Sequence, residues 1–358
     1  MISVEEAQNL VLSTIIQQPK KQVSINASLN YYLAEDIMAP IGVPLFNQSA
    51  MDGYAFKFKD VNQALKVVDT VPAGDVRTIE INDGEAVRIF TGSKVPDSCD
   101  TVVMQELTSV ENNQLSIKDA GLKLGGNIRK KGNQITVGDL ALKKGTKITP
   151  AAIGFLATLG ISEVLVYSKP KVIIIATGSE LVKLGNSPKE GQIYESNTHM
   201  LDAAIQQLGI SPIIQVVKDD FAETKQLIHE ALENNDFLIL SGGISVGDFD
   251  FVKEALLANQ VKEVFYKIKQ KPGKPLFFGK KDKKVVFALP GNPAAALNCF
   301  YMYVLPAINI SIGSSHPFLP KVKIPLNVKY TKKEGRAQFL KAIITENKVS
   351  LLEGQDSD

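Results

Sequence analysis

Several features that would mark particular classes of protein are rare or missing in this sequence. The 358 residues include only two cysteines, Cys99 and Cys299, which lie far apart and lack the spacing of metal ligands. This excludes a disulfide framework and predicts a reducing compartment, which we take to be the cytoplasm. The N-terminal segment has no basic region before an apolar core, so we do not expect a secretory signal peptide.

Long apolar runs and an excess of charge of one sign are also missing. The apolar run Val172–Ala176 is far shorter than the roughly 20 residues of a membrane-spanning helix. The formal net charge is only +2, so neither a membrane nor a nucleic acid is an expected partner. The lysine-rich stretch 280–284 lies between two strand-like runs, where we interpret it as a solvated hairpin turn rather than a phosphate-binding patch.

Common catalytic signatures are absent as well. The sequence contains no Walker-type phosphate loop, no dinucleotide-binding glycine fingerprint and no nucleophile elbow of a serine hydrolase. The three histidines, His199, His229 and His316, are scattered, and we interpret each as structural or solvated rather than as a metal ligand. Ordinary NTPase, dehydrogenase and serine hydrolase functions are therefore disfavoured.

After Pro170 the sequence alternates between strand-like apolar runs and helical patterns. The predicted strands are 171–176, 213–217, 237–240 and 285–289, and the predicted helices are 197–208, 221–234, 250–259 and 293–308. This alternation predicts a parallel sheet with helices on both faces. Residues 46–135 instead contain short strands broken by Gly, Asp and Asn, which predicts a small β-rich domain.

Two loops rich in glycine follow apolar runs of the predicted sheet. The first is Ser241-Gly-Gly-Ile-Ser-Val-Gly247, and the second is Pro290-Gly-Asn-Pro293. Such loops expose backbone N–H groups, and the helix that follows each one points its N-terminus at the gap. The sequence therefore predicts a binding site for phosphate or another oxyanion.

Acidic residues recur where the predicted strands end. They are Glu180, Asp219, Asp220, Asp248 and Asp250. Because the carboxyl ends of parallel strands meet at one edge, we expect these residues beside the glycine-rich loops, with Mg²⁺ relieving the repulsion between carboxylates and a bound anion. The alternative is that each is a helix cap or a solvated loop charge, and Asp219 or Asp220 is expected to cap the helix 221–234.

Three further motifs have both a structural and a functional interpretation. Lys271-Pro-Gly-Lys-Pro275 sets two cations beside a rigid turn, either facing the anion loops or exposed on the surface. Met51-Asp-Gly-Tyr54 contains a turn signal that a hairpin corner would explain. Arg88-Ile-Phe-Thr-Gly92 is a strand that ends in Thr-Gly.

Six of these motifs, taken in order, resemble one family. They are Ser49-Ala-Met-Asp-Gly-Tyr54, Arg88-Ile-Phe-Thr-Gly92, Thr177-Gly-Ser-Glu180, Ser241-Gly-Gly-Ile-Ser-Val-Gly247, Lys271-Pro-Gly-Lys-Pro275 and Pro290-Gly-Asn-Pro293. Any one would be a weak signal, but the ordered set is specific. From its first residues to the region of Arg336 and beyond, the chain resembles the molybdopterin molybdenumtransferases, the MoeA/gephyrin E-domain family.

The resemblance implies the last step of molybdenum cofactor biosynthesis. Adenylylated molybdopterin (adenylyl-molybdopterin) and molybdate would give molybdenum cofactor and AMP, with Mg²⁺ required. The protein would be an elongated homodimer that receives its substrate from an upstream molybdopterin adenylyltransferase. The β-rich domain would reach across the dimer to the partner's site.

The implied fold class is α/β plus β, with several domains. The molybdopterin- and nucleotide-binding α/β domain would comprise 1–18 and 170–315, a linker and dimerisation domain 19–45 and 136–169, and the β-rich domain 46–135. Residues 316–358 would form a C-terminal β domain that we expect to be incomplete. The return of the N-terminal helix to the α/β domain follows from the resemblance and not from the sequence pattern.

Site residues carry over motif by motif. The catalytic set would be Asp52, Thr91, Glu180, Asp219 and Asp250, of which Asp219 and Asp250 would bind Mg²⁺. Ser241, Gly242, Gly243 and Ser245 would donate to phosphate, Lys271, Lys274 and Arg336 would hold molybdate, and Gly273, Pro290, Asn292 and Pro293 would complete the substrate-binding set. The sequence departs from the family at Gln134, where an aspartate is frequent, and at Ala295, where a serine is common.

Two other functions stay open at this point. A binding scaffold with the same fold but without turnover is favoured by Gln134 and Ala295 and disfavoured by the retained acidic set. A molybdopterin adenylyltransferase or related nucleotide hydrolase would share the α/β domain, but the β-rich domain and its Met51-Asp-Gly-Tyr54 motif argue against this function.

Overall fold

The computed structural model of the chain describes residues 1–244, 251–332 and 335–355, which form two compact units. The first unit comprises Met1–Glu35, Lys144–Thr149 and Glu163–Asp358, and the second comprises Asp36–Lys143 and Pro150–Ser162. Each unit has its own hydrophobic core.

The elements are numbered here in chain order. The helices are α1 Val4–Thr14, α2 Pro150–Thr158, α3 Asn197–Gln206, α4 Phe221–Asn234, α5 Val252–Ala258, α6 Pro293–Cys299 and α7 Leu305–Ser311. The strands are β1 Lys20–Ser24, β2 Ile37–Met38, β3 Gln48–Ser49, β4 Gly53–Phe56, β5 Leu65–Val71, β6 Glu85–Ile89, β7 Thr101–Met104, β8 Thr108–Glu111, β9 Gln114–Ile117, β10 Ile128–Arg129, β11 Leu140–Leu142, β12 Glu163–Tyr167, β13 Val172–Thr177, β14 Leu181–Val182, β15 Ile193–Tyr194, β16 Ile213–Val217, β17 Phe237–Ser241, β18 Lys262–Tyr266, β19 Gln270–Lys271, β20 Phe277–Lys281, β21 Lys284–Leu289, β22 Ala337–Gln338, β23 Ala342–Thr345 and β24 Lys348–Leu351.

A six-stranded sheet organises the first unit. Its strand order is β16-β13-β17-β21-β20-β18. The four strands predicted from the sequence, β13, β16, β17 and β21, are parallel, as expected. These strands form the predicted parallel sheet, and two strands that the sequence did not predict, β20 and β18, extend it in the antiparallel sense. The lysine-rich stretch forms the hairpin turn between β20 and β21, as predicted.

Helices cover both faces of this sheet, which confirms the second part of the prediction. Along β13, Val172 and Ile174 point into one core, whereas Ile173 and Ile175 point into the other. This alternation explains why the strand is apolar throughout, since a strand buried on both faces has no solvent-facing side. Helices α1, α3, α6 and α7 pack on the first core, and α4 and α5 on the second.

In the sequence, Ser3 followed three residues later by Glu6 predicts a capping box, and the N-terminal helix begins there. Ser3 Oγ accepts from Glu6 N at 3.1 Å, and Ser3 N donates to Glu6 Oε2 at 2.7 Å. These bonds satisfy two N–H groups that would otherwise lack partners at the helix end. Ala7 and Val11 then enter the core formed mainly by residues after 170.

The helical segment Pro293–Ser311 is long and apolar enough to cross a membrane by length and composition alone, and it is 67% buried within the fold. A π-helical turn, Phe300–Val304, joins α6 to α7. Phe300, Tyr303 and Val304 are fully buried in the first core. Packing in the core therefore accounts for the apolar composition of this segment.

The second unit contains another six-stranded sheet, with the order β7-β4-β6-β5-β9-β8. This confirms the β-rich prediction, although β4 and β8 were not anticipated. A Cβ atom on Gly53 would lie 1.8 Å from Val103 O, so only glycine allows β4 to approach β7. Helix α2 also belongs to this unit, and the sequence predicts it from the helical segment 150–159 followed by Gly160.

The four-domain division predicted from the resemblance is finer than these two units and stays a prediction. The antiparallel pair β1–β12, placed by that prediction in the linker domain, lies in the first unit. In the C-terminal stretch, β22 pairs with β19, and β23 and β24 form a hairpin.

Candidate functional site

A cavity of about 540 Å³ lies at the carboxyl ends of β13, β17 and β21 in the first unit. This is the edge at which the sequence placed the site, because ligands of open α/β sheets bind beyond the carboxyl ends of the strands. The polar lining and the loops come from Thr177, Gly178, Glu180, Glu195, Ser196, Asn197, Asp219, Ser241, Gly242, Gly243, Pro290, Gly291, Asn292 and Pro293.

The glycine loop after β17 packs directly against the end of β13. Gly242 and Gly243 have positive φ angles of 94° and 60°. A Cβ atom on Gly242 would lie 2.5 Å from Thr177 O, and one on Gly243 would lie 2.7 Å from Thr177 Oγ1. Glycine is therefore required for both conformation and space. Ser245 and Asp250 lie outside the described residues, so their predicted roles stay predictions.

The second loop joins the end of β21 to the first turn of α6. Asn292 is the N-cap residue, and its Oδ1 accepts from Ala295 N at 3.0 Å. Pro293 occupies the first turn, where a missing N–H group costs nothing. Ala295 is buried, and its side chain offers no hydrogen-bond donor.

Of the acidic residues at strand ends, Glu180 and Asp219 line the cavity. Asp219 Oδ2 accepts from Ser179 N at 2.8 Å, and Asp219 N donates to Ser179 Oγ at 3.1 Å. Asp220 instead caps α4, accepting from Glu223 N at 2.8 Å. Of the two residues that the sequence offered as the cap of α4, Asp220 is therefore the one that caps the helix. Asp219 instead connects two strand ends beside the cavity.

The antiparallel strand β20 brings the lysine motif to the same edge of the sheet. Phe277, near the start of β20, pairs with Ala288, near the end of β21, so the loop before β20 lies at the carboxyl edge. Pro275 of this loop lines the cavity, whereas Lys271, Gly273 and Lys274 do not.

A buried hydrogen-bond network supports the lysine loop from behind. Gln270 is fully buried, and its Nε2 donates to Gly273 O at 2.9 Å. Tyr303 Oη donates to Gln270 Oε1 at 2.5 Å. A Cβ atom on Gly273 would lie 2.5 Å from Cys299 Sγ, so the loop rests closely on α6. This network fixes the backbone that carries Lys271 and Lys274.

Arg336 lies beside the beginning of the lysine loop. Strand β22, which begins at the next residue, pairs in parallel with β19, with Lys271 opposite Gln338. Ala337 N donates to Lys269 O at 2.9 Å. The pairing of two distant motifs was not predicted, and its two-residue strands leave almost no periodic signal in the sequence.

Asp52 and Thr91, predicted to act together, meet in the second unit. Asp52 Oδ1 accepts from Thr91 N and Thr91 Oγ1, each at 2.7 Å. These two bonds, with a smaller contribution from the positive charge of Arg88, hold the pKa of Asp52 below its ordinary value. Arg88 also donates to Gly53 O at 3.3 Å, so the motif is more than an isolated hairpin corner.

The donor set of the cavity suits a hard cation. Glu180 and Asp219 supply carboxylate oxygens, which Mg²⁺ prefers. Within residues 1–244, 251–332 and 335–355, no group of three or more His, Cys, Asp or Glu side chains is arranged so that it could hold a metal ion by itself. Mg²⁺ commonly takes only one or two carboxylates and completes its shell with water and substrate phosphates, so the residues fit the ion.

Sequence reasoning missed three polar residues of the cavity wall, namely Glu195, Ser196 and Asn197. Asn197 Nδ2 donates to Ser241 Oγ at 2.8 Å and to Gly291 O at 2.7 Å. Glu195 is buried and accepts from Thr198 N at 2.9 Å and from the Thr198 hydroxyl. In the sequence these residues precede or begin a helical pattern, so they were not separated from ordinary helix-start residues.

The fold and the cavity define a class before any comparison is made. A sheet covered on both faces, with glycine-rich loops and a cavity at its carboxyl edge, defines an open α/β ligand-binding fold, here accompanied by a β-rich unit. Residues 173–309 match the family described as a probable molybdopterin binding domain, and residues 2–160 match the MoeA N-terminal region (domain I and II).

Whole-chain comparisons agree with these matches. The chain is 37% identical over 352 residues to the molybdopterin molybdenumtransferase of Staphylococcus aureus strain MSSA476, covering 96% of this chain and 84% of that protein. It is 34% identical to the protein of the same name from Staphylococcus epidermidis, covering 98% and 85%. The chain therefore belongs to the molybdopterin molybdenumtransferase family, transferases of molybdenum cofactor biosynthesis.

Solved structures give the same result. A crystal structure of the molybdopterin biosynthesis MoeA protein from Pyrococcus horikoshii has a TM-score of 0.80 and 32% identity, covering 100% of this chain and 91% of that one. A second crystal structure of a molybdopterin biosynthesis MoeA protein, from Pyrococcus horikoshii OT3, has a TM-score of 0.83 and 28% identity, covering 99% of this chain and 91% of that one. The α/β plus β fold class is thus confirmed.

Proposed function

We propose that the protein inserts molybdenum into adenylyl-molybdopterin, using molybdate and releasing AMP. The observation that carries this proposal is the cavity at the carboxyl edge, where two anion-binding loops meet the carboxylates of Glu180 and Asp219. A phosphoanhydride substrate needs N–H donors for its oxygens. Because Gly242 N donates to Leu289 O at 3.3 Å, the proposed donors are the backbone N–H groups of Gly243, Gly291 and Asn292.

The chemical step asks little of a general base. A molybdate oxygen attacks the pterin phosphorus of the phosphoanhydride, the P–O bond to AMP breaks, and AMP departs with the electron pair as a stable anion. Molybdenum then passes from the phosphate oxygen to the two dithiolene sulfurs of molybdopterin, whose two protons leave with one molybdate oxygen as water. The protein's contribution is to hold the two substrates in line and to offset the developing charge. Lys271, Lys274 and Arg336 are the proposed molybdate-binding cations, since a dianion is best held by fixed positive groups.

Asp219 is proposed to bind Mg²⁺ together with Asp250. When bound, the ion would offset charge on the phosphates and polarise the phosphoanhydride. Asp219 is held by Ser179 N, which leaves Oδ1 of the same carboxylate for another ligand. Glu180 would add a third negative group at the cavity.

Purified protein supplied with adenylyl-molybdopterin, molybdate and Mg²⁺ tests this function directly. We expect AMP release that depends on both molybdate and Mg²⁺. AMP release at the same rate with and without molybdate would point to a nucleotide hydrolase. Tight binding of adenylyl-molybdopterin without any AMP release would instead support a scaffold of the same fold.

We further propose that the protein acts as a homodimer supplied by an upstream molybdopterin adenylyltransferase. Asp52 and Thr91 would then act at the partner's site. Analytical ultracentrifugation tests the first proposal, and a purely monomeric protein with full molybdate-dependent activity would contradict it.

A further inference from the structure

Asn197 links the two anion-binding loops through one side-chain nitrogen. The residue begins α3 and is 8% exposed. Its Nδ2 donates to Gly291 O in one loop and to Ser241 Oγ at the start of the other. A carbonyl oxygen can only accept, so Gly291 O fixes the amide with its nitrogen facing the loops.

This orientation decides what the Ser241 hydroxyl can do. A serine hydroxyl has one proton to donate and two lone pairs that accept. Because Asn197 Nδ2 has only hydrogens to offer, Ser241 Oγ must accept from it, and the serine proton is left for another partner. No acceptor for that proton is found in the described part of the chain, and Ser241 lines the cavity.

Two other buried polar atoms of the cavity wall also lack hydrogen-bond partners among the described residues. Thr177 is 5% exposed, and its Oγ1 has no hydrogen-bond partner among the described residues. The same holds for Asn197 Oδ1 within the described ranges. Unpaired buried polar atoms cost free energy, and these two belong to residues that line a cavity in which a ligand can pair with them.

We propose that Asn197 is a positioning residue that aims the Ser241 hydroxyl proton at a phosphoryl oxygen of the bound substrate. The inference rests on the proposed function, because it requires a phosphoryl group in this cavity. Asn197 acts through Ser241 and through the backbone at Gly291, and it is not itself asked to take part in the chemical step.

The substitution Asn197→Asp separates this role from simple packing. Aspartate keeps the size of the side chain but only accepts hydrogen bonds, so the Ser241 proton would turn toward it and away from the phosphate. Asn197→Ala loses more packing, yet it leaves the Ser241 proton free. A purely structural role predicts that alanine is the more damaging change, whereas the proposed role predicts that aspartate is.

Aspartate would also repel a phosphate directly, so each substitution is made with Ser241 and again with Ser241→Ala. Affinity for AMP is measured by calorimetry, because nucleotide binding does not depend on molybdate turnover. Thermal denaturation checks that each protein is folded, and Asn197→Ser replaces Asn197→Ala if the alanine variant does not fold.

With Ser241 present, we expect Asn197→Asp to weaken AMP binding by about tenfold more than Asn197→Ala does, the size of one lost hydrogen bond to a charged group. In the Ser241→Ala background this gap should shrink to roughly threefold or less. An unchanged gap, equal losses from both substitutions, or no AMP binding by the wild type would overturn the inference.

The proposed function can fail separately. The difference in AMP affinity between the two Asn197 variants could shrink in a protein that releases no molybdate-dependent AMP. The role of Asn197 would then stand, and the proposed reaction would be wrong. Normal molybdate-dependent turnover with an unchanged difference in AMP affinity would support the proposed reaction and contradict the role of Asn197.

Discussion

At the scale of single residues, hydrogen bonds distinguish neighbours that the sequence cannot. Asp219 and Asp220 are adjacent and chemically identical, yet one spans two strand ends and the other caps α4. The same bonds show why Thr91 belongs with Asp52, since both of its donors point at one carboxylate oxygen. Each pair allows a matched experiment.

For the first pair, we expect Asp219→Asn to lower molybdate-dependent AMP release by on the order of 100-fold, because the charge that would hold the metal is lost. The amide oxygen can still accept from Ser179 N, so the fold should survive. Asp220→Ala should leave activity near the wild-type level and lower the free energy of unfolding by about 1 kcal/mol, through loss of the helix cap. Steady-state rates and thermal denaturation check both. Equal activities in the two variants would contradict the assignment.

For the second pair, the expected effect depends on pH. The folded-state pKa of Asp52 lies below the ordinary value of 3.8, so its carboxylate stabilises the fold at pH values above 3.8. That stabilisation is lost as the pH falls through the lowered pKa. The difference in melting temperature between wild type and Asp52→Asn should therefore be largest near neutral pH and should shrink below pH 3.8.

Thr91 supplies the control for this measurement. Thr91→Val removes the hydroxyl donor but keeps the backbone N–H, so it should remove part of the pH-dependent stabilisation by the Asp52 carboxylate. Thr91→Ser keeps both donors and should preserve this stabilisation. A difference between wild type and Asp52→Asn that does not vary with pH would show that the two bonds do not favour the ionised form.

At the scale of elements, close backbone approach determines where the strands can lie. Gly53 lets β4 lie against β7, and a Cβ atom there would enter the carbonyl of Val103. Gly92 also has a positive φ, of 85°, but nothing lies within 4 Å of a Cβ atom at that position. These two glycines of the same unit therefore serve different purposes.

We expect Gly53→Ala to destabilise the second unit by about 3 kcal/mol or more, since relief of the overlap requires movement of a paired strand. Gly92→Ala should cost only about 1–2 kcal/mol, the strain of a left-handed conformation. Chemical denaturation of both variants checks this order. A smaller loss at Gly53 would mean that β4 can shift without breaking its pairing with β7.

At the scale of the whole molecule, two compact units, each with its own buried residues, predict two unfolding events. Tyr303→Phe leaves Gln270 Oε1 buried without its donor, which costs about 1–3 kcal/mol in the first unit. Calorimetry should show two unfolding transitions. Tyr303→Phe should lower the midpoint temperature of one transition, and Gly53→Ala should lower the midpoint temperature of the other. One transition that responds to both substitutions would contradict independent unfolding.

Much of this organisation was predictable from sequence, for physical reasons. Strands such as β13 and β17 are apolar along their whole length because both faces are buried, and that pattern is local. The capping box of α1 and the glycine loop after β17 are equally local signals. These features identified the sheet, its helices and the edge that carries the cavity.

The rest depends on contacts between distant residues. Strands β18 and β20 run antiparallel to their neighbours, and no local pattern gives the direction of a strand in a sheet. The pairing of β19 with β22 involves two residues on each side, too few for a periodic signal. Asn197 begins a helix like many asparagines, and only its distances to Ser241 and Gly291 reveal its role.

The hairpin between β20 and β21 has a practical consequence for experiments. Its exposed turn, Asp282–Lys283, connects Lys281 to Lys284, the last pair of the hairpin. The next residue, Val285, lies opposite Phe237 at the beginning of β17. The turn therefore lies at the far end of the sheet from the cavity. A fluorophore or surface tether attached there would report on this protein while leaving the ligand-facing rim untouched.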